Sequence, residues 1–239
     1  VSADYFGCFD RALQRMAGCD LVGIMANACC GDVNGVDATR PKPESPYPFY
    51  QAERVGNVLA AAAYSAWQGL RGFQYDDEPA LAATTEIVTF RRRRPTPEQL
   101  QAAEALLSGA PPVAHSPGLA PQEFRDVGEL IYARELQLVS QEPLERETPV
   151  MALRVGDLGL VGLPGEIFVE YGLKIKEGSP FEHTMCIELA NDWVGYCPTD
   201  RALEEGSYET QLARSAKAAP GTEEAMITAA LTALKRVAG

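Results

Sequence analysis

Three places in the chain hold side chains that could do chemistry. The stretch Asn27 to Asp37, NACCGDVNGVD, sets two adjacent cysteines, Cys29 and Cys30, before a Gly31-Asp32 pair. Pro164-Gly165-Glu166 closes an apolar run with one carboxylate, and the two histidines are His115 and His183. Metal binding, thiol chemistry and plain turn formation are the options. The cysteines lack the Cys-x-x-Cys spacing of zinc ribbons and thioredoxin-like centres. Neighbouring residues of a strand point to opposite faces, which disfavours a shared metal. A catalytic thiol also needs a base, and none is adjacent in sequence, so it would have to arrive from elsewhere in the fold. His115 in PVAHSPG and His183 in FEHTMC have neither His-x-Glu nor His-x3-His spacing. By themselves they cannot build a histidine-rich zinc site, and His115 reads as a loop residue.

Glu166 gains interest from its expected position. The run VMALRVGDLGLVGLP alternates around Gly156-Asp157, which predicts a hairpin, and PGEIFVEYGLKIKEGSP then predicts a helix from near Glu166 to Gly178. A carboxylate in the first turn faces the positive end of the helix dipole and stays ionised, as a metal ligand or an anchored base must. The alternative is an ordinary acidic residue that stabilises the helix, and composition alone favours it.

The elements around these residues set where they meet. Helical periodicity covers 4–17, 49–70, 97–108, 121–141 and 222–237. Short apolar runs predict strands near 20–28, 84–91, 158–163 and 183–189. Strands alternating with helices argue for an α/β fold with a mixed sheet flanked by helices. If 158–163 and 183–189 are parallel neighbours, the crossover is right-handed and both strands end at one edge, where open α/β sheets place ligands. That edge would collect Pro164-Gly165-Glu166 and Asn191 to Tyr196. A parallel strand at 20–28 would bring Asn27 to Asp37 there too.

The totals exclude some classes. With 239 residues, one domain over 1–239 is expected, with room for an appended lobe. A net charge of -12 speaks against a nucleic-acid partner. The single basic run, Arg91 to Arg94, reads as a solvated strand end, with an anion contact as the lesser alternative. No apolar run reaches the roughly 18 residues of a transmembrane helix. Six cysteines in a chain this long read as reduced, mostly buried thiols, which favours a cytoplasmic setting.

In its second half the chain resembles a known family. ALRVGDLGLVGLPGEIFVEYGLKIKEGSPFEHT, followed by ELANDWVGYCPTDRALEEGSYE, is similar to the neutral/alkaline non-lysosomal ceramidases and their bacterial relatives. SADYFG and NACCGDVNGVD resemble that family's segment ending in a Gly-Asp-Val/Ile turn. The ordered set Gly-Asp, Pro-Gly-Glu, Asn-x4-Tyr and a later Tyr-Glu is more specific than any one part. The resemblance implies a ceramidase-like catalytic domain lacking its N-terminal half. It also implies a catalytic zinc held by two histidines, a glutamate and a tyrosine. Glu166 and Tyr196 match the glutamate and the tyrosine, and Tyr208 matches a residue that polarises the scissile carbonyl. Gly31, Asp32, Asn34 and Asn191 match residues lining the mouth of the site.

Two departures stand out. Neither His115 nor His183 matches a histidine ligand, so the resemblance requires an upstream segment, on the same or a separate chain, to supply them. Asn34 stands where the ceramidases have a serine tied to catalysis, which weakens ceramide as the substrate. The expectation is a zinc-dependent amidohydrolase acting on a small-molecule or lipid amide. The rival is a binding or scaffold protein that keeps the fold without a functional metal.

Overall fold

A computed structural model describes residues 2–35, 39, 45–70, 76–109 and 121–239, with the backbone alone over 121–127. His115 and Asp37 lie outside the described residues. The chain divides into two compact units, Val1–Ala26 with Asn34–Pro79 and Asn27–Val33 with Ala80–Gly239.

The first unit is built on two helices, α1 (Asp4–Ala17) and α2 (Tyr50–Gly69). Phe9, Ala12 and Leu13 of α1 and Ala60 of α2 form its small core, with Leu21 and Met25 packed against it. The expected strand at 20–28 does not form. The segment has no regular structure, and side chains of α1 rather than a neighbouring strand pair with Leu21 and Gly23. Asp10 accepts from Gly23 N–H at 2.7 Å, and Gln14 donates to the Leu21 carbonyl at 2.9 Å.

The second unit carries a mixed four-stranded sheet in the order β1 (Leu81–Arg91), β2 (Glu145–Val155), β3 (Leu158–Gly162), β5 (His183–Ile187). β1, β2 and β3 are antiparallel, with the β2–β3 hairpin turning at Gly156-Asp157, and β3 and β5 are the parallel neighbours that a shared ligand edge requires. A two-stranded parallel ribbon, β4 (Glu166–Ile167) and β6 (Tyr196–Cys197), continues beyond the ends of β3 and β5. Helices α3 (Pro97–Ser108) and α4 (Pro121–Gln141) connect β1 to β2. Thr96 and Gln99 close a reciprocal capping box at the start of α3. Helix α5 (Val169–Gly178) joins the ribbon to β5, and α6 (Asp200–Glu205) and α7 (Thr222–Ala238) follow.

One face of the sheet is the core. Val88, Phe90, Val150, Ala152, Val161 and Cys186 pack there with Met226, Ala230 and Leu234 of α7. The other face follows from the register. Leu153 pairs with Ala83 and Leu160, and Leu160 with Met185, so these residues share a side with Ile87. Ile87, Leu153 and Met185 are all exposed.

The arginine run is not a solvated strand end. Arg92 is buried and donates to the Pro143 carbonyl. Arg93 donates to the carbonyls of Thr210, Ala216 and Ala218 at 2.8 to 2.9 Å. Arg94 reaches the Val139, Ser140 and Glu142 carbonyls at the end of α4, where a helix has unpaired acceptors. Three of the four cations thus tie distant backbone together.

Candidate functional site

Glu166 lies in a strand, not in a helix. Pro164-Gly165 makes a bend after β3, Glu166 N–H donates to the Gly195 carbonyl at 3.1 Å, and α5 begins only at Val169. The dipole argument for an ionised Glu166 therefore fails. What holds the residue is the ribbon, in which Glu166 pairs with Tyr196 and Ile167 with Cys197. Paired residues of a parallel ladder project to the same face, and successive residues alternate. Ile167 and Cys197 go into the core at 0% exposure, and Glu166 and Tyr196 go to the opposite, half-buried side.

Burial dominates the electrostatics of this pair. Glu166 Oε2 is buried with no hydrogen-bond partner. Burial pushes the Glu166 carboxyl above its ordinary range, the Trp193 side chain partly offsets this, and the Glu188 charge adds to it. The Tyr196 phenol is also pushed up, first by burial, then by the Tyr208 phenol and the Glu166 charge. Tyr208, in a single 3-10 turn (Tyr208–Thr210), is exposed and meets Tyr196 edge-on at 5.9 Å between ring centroids.

Asn27–Val33 reaches the same place, as irregular chain rather than as a parallel strand. The Asn27 carbonyl accepts from Glu188 N–H, and Gly31 N–H donates to the Ile167 carbonyl at 2.8 Å. A Cβ on Gly31 would come within 2.4 Å of the Glu166 carbonyl oxygen, so only glycine allows this approach. Asp32 Oδ1 accepts from Val169 N–H at 2.8 Å and thereby caps α5. Gly31 and Asp32 thus hold the Glu166 strand and the helix that follows it. Asn34 is exposed and belongs to the first unit.

Residue types and spacing in the sequence did not reveal Glu188. It is 6% exposed, and its Oε2 accepts from Cys30 N–H at 3.1 Å and Ile167 N–H at 3.0 Å. The Cys30 thiol donates to Oε1 at 2.8 Å. A lone carboxylate inside the apolar run CIELA was the available signal, because a buried charge must find donors. Burial and the hydrogen bond to Glu188 push the Cys30 thiol up to about 12, which keeps it protonated near neutrality. The Cys29 thiol is raised by its hydrogen bond with Cys186 and by burial. All six cysteines are free.

The loop after β5 completes the surroundings. Asn191 is exposed in the left-handed region at φ 70°. Asp192 accepts from Arg146, from the Thr148 hydroxyl at 2.7 Å and from Trp193 N–H at 2.7 Å. Burial raises its carboxyl, but these donors outweigh it and hold the group below the ordinary carboxylate range. His183 begins β5, pairing with Leu158 at the end of the strand away from Glu166, and is exposed.

Among the described residues no group of three or more His, Cys, Asp or Glu is placed to hold a metal ion. An orphaned carboxylate oxygen beside a phenol does fit zinc as two of four donors, since a cation would relieve both groups.

The architecture is a mixed α/β fold of ceramidase type. It is similar to the crystal structure of neutral ceramidase from Pseudomonas aeruginosa, with a TM-score of 0.60 and 18% identity over 99% of this chain and 41% of that one. A ceramidase complexed with C2 gives a TM-score of 0.57 and 16% identity over 99% of this chain and 43% of that one. The likeness is one of fold, and the chain spans about two fifths of the length of these neighbours. No protein-family model matches the chain, and no curated protein matches it.

Proposed function

We propose that the chain forms the C-terminal part of the catalytic domain of a zinc-dependent amidohydrolase resembling neutral ceramidase, with a small-molecule or lipid amide as substrate. The observation that carries this reading is the buried, unpartnered Oε2 of Glu166 beside its ladder partner Tyr196. Glu166 and Tyr196 would hold zinc, and the remaining imidazole donors would come from another segment of a longer chain or from a second chain. The exposed sheet face at Ile87, Leu153 and Met185 gives such a segment apolar surface to cover. When bound, zinc supplies a Lewis acid for hydrolysis of the amide. Tyr208, edge-on to Tyr196, offers its hydroxyl to the carbonyl oxygen of the substrate. A hydrogen bond from the Trp193 side chain would hold the Glu166 carboxylate in place.

Metal analysis of the complete protein tests this reading. About one zinc per chain is expected, with loss of metal and turnover in Glu166→Ala and a milder loss of metal in Tyr196→Phe. A folded, zinc-free protein, or a normal zinc content in Glu166→Ala, overturns the assignment. The first of those outcomes would favour the binding or scaffold protein. Residues 1–239 alone should bind zinc weakly, because two oxygen ligands without imidazole make a poor site. Equilibrium dialysis measures this directly.

A further inference from the structure

Cys29 and Cys186 meet inside the second unit and take no part in the proposed chemistry. Both are buried, at 5% and 4% exposure, and the Cys29 thiol hydrogen-bonds to that of Cys186. The backbone sets them opposite one another. Glu188 N–H donates to the Asn27 carbonyl at 3.1 Å, and two residues further along each segment, in opposite chain directions, come Cys29 and Cys186. Facing residues of antiparallel segments lie about 4.5–5.5 Å apart at Cα. A disulfide spans about 4.4–6.8 Å between the same atoms.

Gly172 of α5 leaves the room that the pair fills. A Cβ there would come within 3.0 Å of Cys29 Sγ, 3.2 Å of Cys29 Cβ and 4.0 Å of Cys186 Cβ. Cys30, the neighbour in sequence, is engaged elsewhere, because its thiol donates to Glu188 Oε1 at 2.8 Å. The two buried sulfurs therefore have each other as reaction partners. Within the pair, the hydrogen bond from Cys29 holds the Cys186 thiol below its ordinary value against the effect of burial, and the Lys176 charge adds to this. Cys186 has the thiolate character and Cys29 keeps the proton.

We infer that Cys29 and Cys186 form a redox site, which a small peroxide converts to a disulfide. The Cys186 sulfur attacks one peroxide oxygen, the O–O bond breaks, and hydroxide leaves as water with the proton that Cys186 gave up. Cys186 is then a sulfenic acid. The Cys29 sulfur attacks the Cys186 sulfur, the S–O bond breaks, and hydroxide leaves as water with the Cys29 proton. Two thiols are oxidised by two electrons, and one peroxide is reduced to two waters. Burial selects the oxidant, since a mixed disulfide with a bulky thiol would have to fit inside the core. The bond ties Asn27–Val33 covalently to β5, and with it Gly31 and Asp32, which hold the Glu166 strand and the start of α5. It forms whether or not the chain hydrolyses an amide.

The test treats the complete protein with hydrogen peroxide, alkylates the remaining thiols after unfolding, and maps the peptides by mass spectrometry without reductant. One linked pair, the peptide of Cys29 with that of Cys186, should appear and should vanish on treatment with dithiothreitol. The thermal midpoint of the oxidised protein should lie at least about 5 °C above that of the reduced protein, because a cross-link between residues so distant in sequence constrains the unfolded chain. Cys30→Ala should form the same link, and Cys29→Ala should show neither link nor shift. Oxidation of Cys19 or Cys30 while Cys29 and Cys186 remain open to alkylation overturns the inference, as does a link from either of them to another cysteine. Loss of the link in Cys30→Ala overturns it by making Cys30 the thiol that reacts. A link that leaves the midpoint unchanged or lower overturns it too. The peptide map of the unsubstituted protein decides the matter should Cys29→Ala fail to fold.

Discussion

Two carboxylates in the second unit, Glu166 and Glu188, sit close together and have opposite fates. Glu188 is 6% exposed and accepts two backbone N–H groups and a thiol, with both its oxygens used. Glu166 is less buried, yet one of its oxygens is sealed from water with no donor. A charge that serves the fold is surrounded by donors the fold supplies. A charge that serves a ligand leaves an acceptor open.

On the scale of stability Glu188, the brace, should matter most. Glu188→Ala removes the acceptor for Cys30 N–H and Ile167 N–H and should cost about 3 kcal/mol. Urea denaturation measures it, and a loss below about 1 kcal/mol would erase the distinction. Gly31→Ala comes next, because its new Cβ meets the Glu166 carbonyl at 2.4 Å. Overpacking against backbone should cost about 2 kcal/mol, and lifting the loop off the Glu166 strand should lower zinc content as well. Cys30→Ala removes one of the three donors to Glu188 and should cost about 1 kcal/mol in thermal denaturation while turnover persists. Loss of turnover at unchanged stability and zinc would point to thiol chemistry. The smallest change belongs to Glu166→Gln. It removes a charge that burial disfavours and should shift stability by less than about 0.5 kcal/mol, yet bound zinc should fall at least tenfold. A large destabilisation there would make Glu166 a second brace.

Local patterns in the sequence were informative where the physics is local. The Thr96-Pro97 helix start and the Gly156-Asp157 hairpin appear as periodicity and turn chemistry predict, and the parallel pairing of the runs at 158–163 and 183–189, which local pattern leaves as a condition, is present in the sheet. Asn27–Val33, Glu166 and Tyr196 do converge, but not by the route the sequence suggests, because the parallel strand expected at 20–28 is not there. Periodicity of two in that run is real, but it cannot show that side chains of α1 rather than a strand satisfy the backbone. Glu166 was misplaced in a helix because a two-residue ribbon has no local signal. Its partner lies thirty residues on, past α5 and β5. The acceptors of Arg92, Arg93 and Arg94 lie 45 to 125 residues away, which no composition of the run itself can express.

The shortness of the ribbon has a consequence for how such a site can change. Two oxygens are set side by side by one ladder step, with Glu166 N–H on the Gly195 carbonyl and Phe168 N–H on the Cys197 carbonyl fixing the step from both ends. An insertion in the turns around α5 leaves that step untouched, so the intervening chain is free to lengthen or diverge. An insertion of one residue between 194 and 196 would rotate the phenol to the far side of the ribbon and bring a core residue to the carboxylate. Drift in sequence around the pair is therefore tolerated, whereas a frame slip within it is not.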